Sequence, residues 1–333
     1  MRPNSSQKSS RRGSRRHQQP RTVPSAEVPD PIPIPVDPDR PNTHLVPQLE
    51  TKAISHEQLV AEVKSIYTGL VMIESKCIEV DTAQSSNPNQ LSGEQWQALI
   101  ALHRTLLHEC HDFFLATQHP VASEALNRLA AKYAMPARMW RHGIHSFLEL
   151  LRHRLPHSYD QMLTFIYLAY GMMALLYETV PAFRDVWIEC LGDLARYRMA
   201  VEETDVMDRE IWTNVARAWY CKASDKAPTT GRLYHHLAIL ARPKAVQQLY
   251  FYVKSLCVPI PFPTAKESIM SLFDPLFSEE PPSLPAVDES FVRAHAILFS
   301  NKRKDLLDKS IDEFLKLLDA EIGRVTKRWL EFG

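Results

Sequence analysis

Glycine is scarce in this chain, with 9 residues among 333 against 24 prolines. That scarcity disfavours loops that cradle phosphate, and no G-x-x-x-x-G-K-[ST] string occurs, so nucleotide hydrolysis by that route is excluded. Cysteine is sparse as well. Cys77, Cys110, Cys190, Cys221 and Cys257 are odd in number, far apart and without a C-x-x-C pair. A reduced, intracellular chain is expected rather than a disulfide framework. The N-terminus lacks the apolar core of a secretory signal. The longest apolar run, residues 162–177, is interrupted by Thr164 and Gly171. It falls short of the roughly 20 residues that cross a bilayer, so it reads as a buried helix, and no membrane partner is expected.

What is present suits a globular protein. At 45% hydrophobic residues the chain can build a proper core in one large or two medium domains. Its 39 basic and 39 acidic side chains cancel, but unevenly. Residues 1–21 hold seven basic side chains, Arg11, Arg12, Arg15 and Arg16 among them, and no acidic one, which leaves 32 basic against 39 acidic in the remainder. A body of that sign does not attract nucleic acid generically, so nucleic-acid binding would need a local basic groove or the tail. Residues 1–50 combine Ser, Arg and Gln with a proline ladder at Pro29, Pro31, Pro33 and Pro35. They read as a disordered basic arm and an extended linker, with the arm a candidate nuclear-import or nucleic-acid patch.

Order is expected from Ser55, which with Gln58 forms a capping box ahead of Leu59, Val63, Ile66, Leu70, Ile73 and Cys77 at three- and four-residue steps. Ser92 and Gln95 repeat the signal before a second helix. That helix carries His103, His108, Glu109, Cys110 and His111, but H-E-C-H lacks the H-E-x-x-H spacing of a zinc site. Surface or core-edge histidines are expected, with no metal and no cofactor. A short helix over 123–133 precedes one that Pro136 starts. In the latter, at 100° per residue, Arg138, Arg141, His145 and Arg152 project within roughly 60° of one another as a basic stripe. Pro156 ends it, and an apolar helix over 157–178 follows.

Pro181 starts the helix carrying Gly192-Asp193-Leu194-Ala195-Arg196-Tyr197-Arg198. Trp187, Cys190, Leu191 and Leu194 form its buried stripe, so Arg196 projects away, close to Glu189 and Asp193, and Arg198 falls on the apolar side. There Arg196 either pairs with those carboxylates or aims its guanidinium at a phosphate. Beyond Asp208 the spacing of Ala216, Tyr220, Ala223 and Pro228, then Tyr234, Leu237, Ala238 and Ala241, matches tetratricopeptide-like hairpins. Three domains follow from this reading: a tail over 1–50, a helical bundle over 51–200, and a repeat region over 201–333 that either caps itself or is a fragment of a longer protein.

The run Gly231-Arg232-Leu233-Tyr234-His235-His236-Leu237-Ala238-Ile239-Leu240-Ala241, followed by Tyr250-Phe251-Tyr252-Val253-Lys254-Ser255-Leu256 and Pro261-Phe262-Pro263-Thr264-Ala265, resembles one family. It is similar to the DNA/RNA-binding domain shared by ever-shorter-telomere telomerase factors and SMG nonsense-mediated-decay factors. Leu191 to Arg198 resembles that family's G-D-[IL]-A-R-Y-R string, and the wording of the chain is most like filamentous-fungal members. The resemblance implies an all-α fold, a 14-3-3-like antiparallel bundle followed by tetratricopeptide-like hairpins. It implies a non-catalytic scaffold in nonsense-mediated mRNA decay, placed in nucleus and cytoplasm. Its partners would be a phosphorylated protein, single-stranded RNA or DNA, and other decay or telomerase factors. By the same resemblance Arg196 and Tyr197 would hold phosphate. The family's further Lys contact would fall at His145, a departure for which Arg141 or Arg152 could substitute. The alternatives are a telomerase-associated single-stranded nucleic-acid-binding factor and a helical scaffold without an anion site.

Overall fold

The computed structural model describes residues 54–87, 89–278 and 284–332, with side chains described as far as residue 324. The arm with Arg11, Arg12, Arg15 and Arg16 lies outside these residues. Among the described residues the regular structure is helical throughout, and the one β-bridge joins Thr230 to Ile260.

Both anticipated capping boxes form. Ser55 Oγ accepts from Gln58 N at 3.2 Å while Gln58 Oε1 accepts from Ser55 N at 3.0 Å, which opens α1, His56–Ser85. Ser92 and Gln95 do the same for α2, Gly93–Thr117. Each box satisfies backbone donors that the first helical turn leaves without partners. Leu59, Val63, Leu70 and Cys77 of α1 then bury against Trp96, Leu99, Leu106, Cys110 and Phe113 of α2.

The helix expected over 123–133 is two short turns, α3 (Glu124–Asn127) and α4 (Leu129–Lys132), followed by Ala134 in the left-handed region at φ 49°. The helix begun by Pro136 departs more. It runs as α5 (Met135–Arg138), a wide π-helical stretch (Met139–His145) and α6 (Ser146–Arg152). A π turn inserts extra backbone into the helical register, so residues before it rotate away from those after it. Arg138 therefore leaves the projected basic stripe. Its guanidinium pairs with Glu74 of α1 and lies 3.4 Å from Tyr67 Oη. Inside the wide stretch, Gly143 O lies 2.9 Å from His103 Nδ1, whose Nε2 is 3.1 Å from Asp81 Oδ1. His103 is fully buried and stacks on Phe147, which makes it a core residue that ties α1, α2 and the π stretch together.

The apolar helix is α7, Tyr159–Thr179. It is the one described helix long and apolar enough to cross a membrane, and here it turns Met162, Phe165, Ile166, Ala169, Met173 and Leu176 into the core. α8, Arg184–Val201, follows after a short 3-10 turn and completes the largest apolar cluster, which runs from Leu59 to Val201. From there the pattern becomes helical hairpins: α9 (Val206–Lys226), α10 (Gly231–Leu240) and α11 (Ala245–Cys257), then the turns α12 (Ala265–Ser268) and α13 (Met270–Phe273), and the last pair α14 (Ala286–Ser300) and α15 (Leu307–Phe332). The fold is thus all-α, a 14-3-3-like bundle continued by tetratricopeptide-like hairpins. α8 joins the two patterns, since Ala195 packs with Ala216, Tyr220, Tyr234 and Leu237.

The three separated pieces of the downstream motif meet at Gly231. Its N–H donates to Ile260 O at 2.8 Å, its carbonyl accepts from Ser255 Oγ at 2.7 Å, and Phe262 N donates to Ser255 O at 3.1 Å. A Cβ on residue 231 would run into Ser255 O and come within 2.7 Å of Phe262 N, both backbone atoms that cannot swing aside. Gly231→Ala should therefore lower stability by about 2 to 3 kcal/mol, read from urea unfolding midpoints. Gly323→Ala, on α15 with open space around it, should instead raise stability by up to about 1 kcal/mol.

Candidate anion-binding face

Successive residues of α8 point in three directions, and each reaches a different neighbour. Arg198 turns inward, where its guanidinium pairs with Glu202 at 3.0 Å and with Asp208, and meets Tyr167 Oη at 3.3 Å. It also covers the Trp212 ring, so it fixes the start of α9 against α7 and α8. Arg196 turns toward α9. Its Nε donates to Tyr220 Oη at 3.3 Å and its Nη2 to Asp193 Oδ1 at 3.3 Å, while Tyr220 donates to the same Asp193 oxygen at 2.5 Å. Tyr197 turns the other way, and its hydroxyl donates to Glu149 Oε1 on α6 at 2.9 Å.

Glu149 is where α6 and α8 converge. Arg152 donates to both of its oxygens, from Nε at 3.1 Å and from Nη2 at 2.6 Å. The His145 ring packs edge-on to Tyr197 with centroids 6.5 Å apart, and His153 Nε2 stands 3.9 Å from the carboxylate. Arg152 foremost, with the Tyr197 hydroxyl and the nearby His145, holds the Glu149 carboxyl below the usual range. Burial and the Glu149 bond push the Tyr197 phenol upward, so it stays a donor. The structure therefore brings Tyr197, Arg152 and His145 together around one carboxylate. Arg141 is exposed on the wide turn and bonds none of these three. Arg196 lies behind Tyr197, its guanidinium carbon 5.7 Å from that ring, with its own carboxylate partner.

Sequence reading missed Glu149, although a signal was there: it is four residues after His145 and three before Arg152, the spacing at which helical charges pair. It placed Tyr220 in the hairpin spacing but not against Arg196, 24 residues away, a contact with no local marker.

A second feature belongs to the hairpins. Residues 216–266 hold eight basic side chains and a single acidic one, Asp225. Among the described residues, only Lys226 and Arg232 of these have carboxylate partners, Asp185 and Glu189. Lys222 instead donates to Tyr177 Oη at 2.6 Å and lies over the Tyr177 and Trp219 rings, and Lys254 lies 4.3 Å from the centre of Tyr234 and 5.7 Å from that of Tyr250. Tyr250 is 55% exposed.

Fold and site together define an all-α protein whose bundle presents a small polar face and whose hairpins place Lys222 and Lys254 against aromatic rings. Residues 216–325, about a third of the chain, match the family model described as the Est1 DNA/RNA binding domain. The match takes in the downstream motif around Gly231 and leaves Gly192 to Arg198 outside it. Similar relatives include the telomerase-binding protein EST1A of Danio rerio, 42% identical over 87 residues, which is 26% of this chain and 5% of that protein. The nonsense-mediated mRNA decay factor SMG7 of Arabidopsis thaliana is 39% identical over 87 residues, 25% of this chain and 8% of its own. SMG7 of Danio rerio is 26% identical over 139 residues, 38% and 11% respectively. The aligned stretches thus span about a tenth or less of each of these relatives' lengths.

The joint behind the face is also pH-sensitive. His236 of α10 stacks on Tyr220 with centroids 4.8 Å apart, and burial pushes its pKa down to about 4. An imidazole that titrates lower in the folded state than in the unfolded chain takes up its proton only on unfolding between those values. Its contribution is therefore intact above pH 6.5 and is lost as pH falls from 6.5 toward 4. Wild type should lose about 2 kcal/mol more than His236→Gln between pH 7 and pH 5, measured by urea unfolding of both forms at both pH values.

Proposed function

We propose that the chain is a non-catalytic scaffold of the telomerase-factor and decay-factor kind, working in nucleus and cytoplasm, that takes a phosphorylated partner on the face formed by Tyr197, Arg152 and His145. The observation that carries this reading is the meeting of a phenol and a guanidinium from two helices on one anionic group. Donors so arranged suit oxyanions, because a planar guanidinium presents two N–H groups to two oxygens at once and the Tyr hydroxyl fixes the approach. Arg196 supports Tyr197 from behind, and Arg141, one turn away, meets the partner segment further along. The names of the SMG7 relatives support participation in nonsense-mediated decay, and that of the EST1A relative supports the alternative, service to telomerase.

Fluorescence anisotropy with a labelled phosphoserine peptide and its unphosphorylated counterpart tests this. Wild type should bind only the phosphorylated form, Tyr197→Phe about tenfold more weakly, and Arg152→Glu not measurably. Equal binding of both peptides, or of neither, would exclude the reading.

A specific observation also favours a nucleic-acid surface on the hairpins, namely that Lys222 and Lys254 rest on aromatic rings with no carboxylate partner among the described residues, Lys254 beside an exposed Tyr250. Cations that neutralise phosphates give salt-dependent affinity, and aromatic faces stack bases without sequence preference. In a titration of a single-stranded oligonucleotide at rising salt, Lys222→Glu combined with Lys254→Glu should flatten the log–log slope by roughly 1.5 to 2. Removing residues 1–50, with Arg11, Arg12, Arg15 and Arg16, isolates the share due to the arm. A slope unchanged by the double variant would leave the hairpins without this role.

A further inference from the structure

We infer that Glu149 is an internal stand-in for the ligand, its carboxylate occupying the place of the bound anion and setting the face to accept a phosphate dianion and refuse a carboxylate. The inference rests on the phosphopeptide reading above and concerns the selectivity of that same face.

The two donors that converge from α6 and α8 are both held by this one side chain. Arg152 spends Nε and Nη2 on it, Tyr197 its only hydroxyl proton, and His145 and His153 stand beside it. An incoming anion must therefore displace Glu149 before it can take the Tyr197 hydroxyl and the Nε–Nη2 edge of Arg152 together. A free Asp or Glu of a partner brings the same two oxygens and the same single charge. It competes with a carboxylate that is tethered in place, present at an effective concentration in the millimolar range or higher. Such a ligand gains nothing by the exchange. A phosphoserine brings nearly twice the charge and three acceptor oxygens at neutral pH. It can take Arg152 and Tyr197 from Glu149 and add His145, which Glu149 does not bond.

The displaced side chain has somewhere to go. Glu149 also lines a cleft of about 960 Å³ shared with Ser146, His153 and Gln161, and its side chain is 29% exposed. His153, which lines the same cleft, stands 3.9 Å from the carboxylate. An ordinary surface pair at three-residue spacing would not behave this way. Such a pair contributes little and controls nothing, whereas here the same carboxylate also ties up the Tyr197 hydroxyl, 48 residues along the chain.

The test compares three forms of the full chain, wild type, Glu149→Gln and Glu149→Ala, each titrated with a glycine-flanked phosphoserine peptide and with the same peptide carrying aspartate instead. Wild type should bind the phosphoserine peptide and not the aspartate peptide. Both variants should bind phosphoserine about tenfold more tightly and acquire measurable affinity for aspartate, so that the discrimination between the two shrinks. Agreement between Gln and Ala assigns the gain to loss of the carboxylate rather than to a new amide contact. Thermal midpoints for all three forms verify that each is folded. If wild type binds phosphoserine and neither variant changes the ratio between the two peptides, Glu149 is no stand-in, while the phosphopeptide reading survives. If no folded form binds phosphoserine, the reading of the face fails and this inference fails with it.

Discussion

The arrangement of α8, α9 and α10 depends on one phenol ring. Tyr220 lies over the backbone of Gly192 so closely that a Cβ there would sit 2.9 Å from its Cε1. Its hydroxyl donates to Asp193 and accepts from Arg196, and His236 stacks on the ring. One side chain thus fixes three helices, joining α8 to α9 through the part-buried Asp193 and Arg196 and α10 through the stacked His236 ring. Low dielectric strengthens such bonds and makes each costly to break singly, since the partner left behind loses about 1 to 3 kcal/mol of desolvation with nothing in return. The Gly, Asp and Arg of the Gly192-Asp193-Leu194-Ala195-Arg196 string therefore have a structural reason to occur together, before any ligand is considered.

That joint separates two residues that are adjacent in sequence. Arg196 and Tyr197 are 100° apart on α8, and the joint takes Arg196 while leaving Tyr197 to face α6. With Asp193 and Tyr220 as its neighbours, the Arg196 guanidinium is held charged, burial notwithstanding. It lies behind Tyr197 and contributes positive field there without giving up its own bonds. A substitution at Arg196 would loosen the joint as well as the face, whereas Arg152 and Tyr197 report on the face alone.

Much of this was legible in the sequence wherever the cause was local. The capping boxes at Ser55 and Ser92, the stripe from Leu59 to Cys77, the buried helix over 157–178 and the inward Arg198 all follow from spacing along one helix, and each forms. The failures share a different cause. The 100° projection assumes an unbroken α-helix, and the π stretch from Met139 to His145 breaks that assumption, sending Arg138 to a carboxylate 64 residues away. His103 read as a surface or core-edge residue because its partners, Asp81 and Gly143, come from two other segments. Glu149 drew no notice in the sequence because its second partner, Tyr197, comes from α8. Periodicity reports which side of a helix is apolar. It carries nothing about which polar group waits on the neighbouring helix.

The two anionic-ligand surfaces proposed for this chain then differ in kind, for a physical reason. On α6 and α8 the cation Arg152 has a carboxylate already, so net attraction at a distance is small and binding depends on exchanging one close partner for a better one. Specificity there is a difference between two short-range bonding arrangements. On the hairpins, Lys222 and Lys254 rest on aromatic rings rather than on carboxylates. A ring face steadies an ammonium without cancelling its charge, so the field stays available to solvent and to any polyanion nearby. Binding there would be long-ranged, weakened by salt and indifferent to the detail of the ligand. A scaffold with both could gather a polyanion loosely on one part and choose one modified partner on the other, and the residue that decides the choice would be Glu149.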